Sequence, residues 1–79
     1  MTRSRQPVRR VLVTAAGTVT AQSLIKALRE DGRAEFIAAG DMTALNATRA
    51  FCDEFVLLPR AADSGFAAAC LEAARRLEI

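Results

Sequence analysis

Five residues stand where the charge or phosphate of a ligand could be met: Gly17, Thr18, Thr20, Asp41 and Arg60. Gly17, Thr18 and Thr20 lie between the apolar run Val11-Leu12-Val13 and an amphipathic segment, the place of a strand-to-helix turn. Free backbone NH groups at a helix N-terminus, joined by threonine hydroxyls, suit a phosphate or carboxylate. The same residues also make a plain turn. A dinucleotide fingerprint needs three glycines, for the tight turn, for close approach to a pyrophosphate and for helix packing. In that register the chain has Ala15, Gly17 and Thr20. Only the middle glycine is kept, which makes the turn a weak anion site at best.

Asp41 follows the apolar run Phe36-Ile37-Ala38-Ala39 and lies 24 positions after Gly17. A ribose-binding acid belongs at the carboxyl end of a second strand, and an aspartate there equally well caps the next helix. Arg60 stands just past a third apolar run, Phe55-Val56-Leu57-Leu58, within reach of an anion in the same crevice or free in solvent. Asp53 and Glu54 are adjacent, so their side chains diverge and do not make a catalytic carboxylate pair. No residue is assigned a catalytic or metal-ligating role. Histidine is absent, which removes imidazole catalysis and imidazole metal ligation from this chain. Cys52 and Cys70 are too few and too far apart for a zinc site, and read as small core residues.

The elements that must position these residues follow from hydrophobic period. Strand one is Val11 to Val13. A helix from Ala21 to Asp31 carries Ala21, Leu24, Ile25 and Leu28 on one stripe. Thr18 or Thr20 caps its start and Gly32 its end. Strand two is Phe36 to Ala39. A short helix from Ala44 to about Cys52 follows, capped by Thr43, with Ala44, Ala47 and Phe51 on one face. Strand three ends at Pro59, which cannot donate to a ladder. Asp63 or Ser64 caps a last helix with Phe66, Cys70, Ala73, Ala74 and Leu77 on its inner stripe and a Glu72–Arg76 pair outside.

At 79 residues, 52% hydrophobic and 25% charged, the chain is one small globular α/β domain. No apolar run is long enough to span a membrane, and a cytoplasmic protein is expected. Arg3, Arg5, Arg9 and Arg10 precede every acid, whereas from Val11 onward seven basic residues face nine acidic ones. Residues 1–8 therefore read as a flexible basic tail, with these arginines solvated, and 9–79 as a mildly acidic domain unsuited to nucleic acid.

The alternation β-α-β-α-β-α implies right-handed crossovers and a parallel sheet of order 3-2-1. The first two helices are expected on one face and the third on the other, a three-layer Rossmann-like arrangement. It stops before a strand four. Strand one would then be an open edge, able to pair with another copy or partner, and the chain is expected to be the N-terminal piece of a longer protein or to have such a partner.

Val11 to Thr14 with Gln22 to Leu28, Ala39-Gly40-Asp41-Met42, and above all Cys52 to Ala61 resemble the N-terminal domain of ATP-grasp enzymes similar to the carbamoyl-phosphate synthase large subunit. The resemblance covers nearly all of 9–79. It implies a non-catalytic pre-ATP-grasp domain forming one wall of the substrate cleft of a ligase that joins a carboxylate to an amine through an acyl-phosphate. ATP and magnesium would be held by the remaining ATP-grasp domains, in the same or a separate chain. Two alternatives stand beside it: an NAD(P)-binding fragment of a short-chain-dehydrogenase-like reductase, whose opening Ala16 to Val19 also resembles, and a stand-alone interaction module.

Overall fold

A computed structural model describes residues 9–43 and 47–79. The basic tail over 1–8, and Ala44 with its expected place in a helix capped by Thr43, lie outside the described residues. The elements run β1 (Arg10–Val13), α1 (Val19–Asp31), β2 (Phe36–Asp41), a 3-10 helix (Ala47–Ala50), β3 (Glu54–Leu57) and α2 (Phe66–Arg76). The result is a small α/β unit with a three-stranded parallel sheet in the order β1-β2-β3. Val11 stands opposite Ile37 and Val13 opposite Ala39, while Gly40 stands opposite Val56 and Asp41 opposite Leu57.

Alternation along β2 divides the core. Ile37 and Ala39 join Val13, Ala16, Ala21 and Ile25 in a cluster under α1. Ala38 joins Val56, Leu58, Ala73 and Leu77 under α2. Both clusters draw on β2, which is buried from Ile37 to Gly40 and reads accordingly as an uninterrupted apolar run. Ile25 and Ile37 are fully enclosed, each contributing about 1.5–3 kcal/mol of apolar burial. β1 is only half-buried over Arg10–Leu12.

Helix α1 begins where the hydroxyl of Thr18 accepts the NH of Ala21 at 3.1 Å. It ends at Gly32, whose φ of 80° allows its NH to reach the carbonyl of Leu28. Leu24 does not join the buried stripe and is 49% exposed.

Three expectations need correction. Among the described residues, the α-helix expected to run to Cys52 is a 3-10 helix at Ala47–Ala50, which ends before Cys52. The chain must re-enter the sheet almost at once, because the NH of Asp53 already donates to the carbonyl of Ile37; the tighter bond from Phe51 NH to Thr48 carbonyl fits that distance. The last helix starts at Phe66 with Gly65 as N-cap and no side-chain cap. Asp63 instead accepts the NH of Gly65, closing a turn that delays the helix. Arg76 does not pair with Glu72; its guanidinium reaches Glu54 on β3 at 3.2 Å.

Arg10 is also better placed than a solvated terminus. Its Nε donates to the carbonyl of Leu77 at 2.9 Å, and its guanidinium lies 4.1 Å from the Phe36 ring centre. A cation at the carboxyl end of α2 is favoured by the helix dipole, so Arg10 ties the first strand to the last helix.

A candidate ligand site at the strand carboxyl ends

The three strands run parallel, so their carboxyl ends and the loops that follow share one rim. Between them lies a cavity of about 400 Å³, within the range of small-molecule sites. Thr14 and Ala15 come from the end of β1, Thr18 from the cap of α1, Asp41 and Met42 from the end of β2, and Arg60 from the loop after β3. Leu58, Pro59 and Phe66 complete an apolar wall. Thr18, Asp41 and Arg60 are thus brought together, while Gly17 and Thr20 are exposed and do not line it.

Gly40 sets how closely β2 approaches this wall. A Cβ at Gly40 would run into the side chain of Leu58, so the glycine admits Leu58 beneath the cavity. Backbone pairing continues to this point, with the NH of Leu58 donating to the carbonyl of Asp41 at 2.8 Å. Pro59, which has no NH, follows and lets the chain leave the sheet toward Arg60.

The β1–α1 turn is held by its own hydrogen bonds. Ala16 NH donates to Gly40 carbonyl at 3.0 Å, Thr18 NH to Ala15 carbonyl at 3.1 Å, and Gln22 NH to Thr18 carbonyl at 3.1 Å. Thr18 is committed twice through its side chain, donating to Ala15 carbonyl at 2.9 Å and accepting from Ala21 NH. The left-handed backbone position falls on Ala15, with φ of 52°. That is the position of the first fingerprint glycine, and here it carries a methyl group. The NH groups of Ala16, Thr18, Ala21 and Gln22 are thus taken up within the chain.

The hydroxyl of the fully buried Thr48 donates to the carbonyl of Ala16, fastening the 3-10 helix beneath the turn. Sequence reasoning missed this contact, and Thr14, Met42 and Phe66 as cavity residues. Thr14 alone carried a signal, as the first polar residue after the β1 run.

Neither a family profile, nor a curated protein, nor a solved structure matches the chain.

Asp41 and Arg60 make no side-chain hydrogen bond or ion pair with one another or with any other described residue. Among the described residues three ion pairs lie outside the cavity, one of them Arg76 with Glu54. Arg29 pairs with Asp53 at 3.1 Å and Arg33 with Asp31 at 2.5 Å. Asp53, just before β3, and Glu54, its first residue, diverge: Asp53 accepts the NH of Ile37 at 2.8 Å and pairs with Arg29 of α1, whereas Glu54 pairs with Arg76 of α2.

A second, more open groove of about 570 Å³ lies between α1 and the segment Ala50 to Asp53. Its charged groups are already engaged, Arg29 by Asp53 and by the Phe51 carbonyl, and Lys26 over the Phe51 ring. Cys52 lines it as a free thiol whose pKa is raised, first by burial, against the lowering effect of backbone hydrogen bonds. Among the described residues no cluster of three His, Cys, Asp or Glu could hold a metal ion, and no helix is long and apolar enough to cross a membrane.

Proposed function

We propose that the chain is a non-catalytic, cytoplasmic, three-layer Rossmann-like domain of the pre-ATP-grasp type, with strand order 3-2-1. It would form one wall of the substrate cleft of a carbamoyl-phosphate-synthase-like ligase. One observation carries this reading: a largely apolar cavity opens at the carboxyl ends of parallel strands, beside a β1–α1 turn with a methyl group at the first fingerprint position and with the NH groups of Ala16, Thr18 and Ala21 bonded within the chain. A module that held a nucleotide by its phosphates would aim those donors at the ligand. A wall needs only shape and a few side chains at the strand ends, and Thr14, Asp41 and Arg60 supply them. ATP, magnesium and the acyl-phosphate chemistry belong in this reading to ATP-grasp domains in the same or a separate chain.

The NAD(P)-binding alternative draws on one specific feature, the position of Asp41 at the end of β2 in the same cavity as the turn. Two measurements separate the readings. Co-purification with an ATP-grasp chain, or a coding region continuous with one, supports the ligase reading. Saturable binding of NAD(P) to the 79-residue chain, followed by calorimetry, overturns it.

A further inference from the structure

The cavity at the strand ends holds two opposite charges that do not meet. Asp41, half-buried, terminates β2, and Arg60 follows β3. Both line the same space, and neither has a side-chain partner among the described residues. Elsewhere in the chain Arg29, Arg33 and Arg76 each find a carboxylate. The same space is lined by the apolar side chains of Met42, Leu58, Pro59 and Phe66 and by Thr14.

We propose that this cavity binds a free α-amino acid with an apolar side chain, its ammonium on Asp41, its carboxylate on Arg60 and its side chain against Leu58 and Phe66. The occupant is selected by charge. A purely anionic ligand is opposed by Asp41 and a purely cationic one by Arg60, whereas a zwitterion answers both. A guanidinium and a carboxylate match in planar geometry, and hydrogen bonds to charged groups are the stronger ones. The apolar wall then favours an aliphatic side chain over a polar one. This inference rests on reading the cavity as part of a substrate cleft.

The test is a ¹⁵N–¹H NMR titration of the full chain with L-leucine, and with two half-ligands, 4-methylpentanoate and isoamylamine. Leucine is expected to give saturable shifts at Thr14, Gly40, Asp41, Leu58 and Ala61, and each half-ligand to bind about tenfold more weakly, the worth of one charge-assisted contact. Asp41→Asn should erase the preference for leucine over 4-methylpentanoate, and Arg60→Gln the preference over isoamylamine. Both side chains lack partners, so both variants should keep the dispersed spectrum of the parent. Equal binding of leucine and a half-ligand overturns the inference, as does the absence of shifts with leucine at tens of millimolar, far weaker than the millimolar range that two such contacts support. Shifts confined to Gly17–Thr20 on adding NADP overturn the ligase reading instead, so the two failures are distinguishable.

Discussion

The hydroxyl of Thr48 donates to the carbonyl of Ala16, joining the 3-10 helix to the turn between β1 and α1 across 32 positions of sequence. Thr48 is fully buried, as is Ala16. Replacing Thr48 with valine keeps the shape and removes the donor from an enclosed carbonyl. A loss of about 1–3 kcal/mol in urea unfolding is expected. Thr48→Ser keeps the hydroxyl and should retain more stability than Thr48→Val; the reverse order would show that packing of the methyl group outweighs the bond.

Ala15 occupies the left-handed region, with φ of 52°. An L-residue there is strained by about 1–2 kcal/mol, part of which glycine returns through the greater freedom of the unfolded chain. Ala15→Gly should therefore stabilise by about 0.5–1 kcal/mol, read as a raised midpoint of thermal or urea unfolding. An unchanged or lowered midpoint would contradict the strained geometry.

Gly40 and Leu58 share one space. Gly40→Ala would push a methyl into the Leu58 side chain and should cost about 1–3 kcal/mol by overpacking. Combining it with Leu58→Val, which withdraws the obstructing carbon, should cost less than the sum of the two single changes. Strict additivity in a double-mutant cycle would deny the contact.

Asp53 has two separable tasks. Its ion pair with Arg29 joins side chains that are 38% and 37% exposed, so solvent screening leaves it worth about 0–1 kcal/mol. Its acceptance of the Ile37 NH holds the start of a buried strand. Asp53→Asn retains an acceptor and should be nearly neutral in urea unfolding. Asp53→Ala should lose about 1–3 kcal/mol by leaving that NH without its partner.

Cys52 couples stability to alkaline pH. Burial raises its thiol pKa above the ordinary value, so the folded chain holds the proton to higher pH than the unfolded chain does. The resulting contribution is full below the ordinary thiol pKa of about 8.5 and is lost as pH rises through the raised folded value. Urea unfolding from neutral to alkaline pH should show a steeper decline for the parent than for Cys52→Ala. Parallel declines would contradict the raised pKa.

Much of the architecture was legible because it is local. The three apolar runs form parallel strands, Thr18 and Gly32 cap α1, and Asp53 and Glu54 diverge as adjacent residues. Two of the failures were governed by distant partners: the helix gives way before Cys52 because Asp53 is already bonded to Ile37, and Arg76 leaves Glu72 for Glu54 because β3 passes within reach. The third was local, α2 starting late because Asp63 turns back onto Gly65. Of the site, Thr18, Asp41 and Arg60 were visible as polar residues at strand and helix ends, whereas the helical period marked Phe66 only as a core residue and Met42 carried no periodic or chemical signal.

By itself the sequence determined a small α/β unit with a buried middle strand, and it marked the β1–α1 turn as poor in glycine. Apolar run length, helical period and capping residues act within a few positions, so they survive without knowledge of the fold. Tertiary structure alone decided that the turn directs the NH of Ala16 to Gly40, that Thr48 supports it from below, and that Asp41 and Arg60 face one cavity unpaired. Those relations join residues far apart in the chain, and only the parallel pairing of β1, β2 and β3 brings their ends to a common rim.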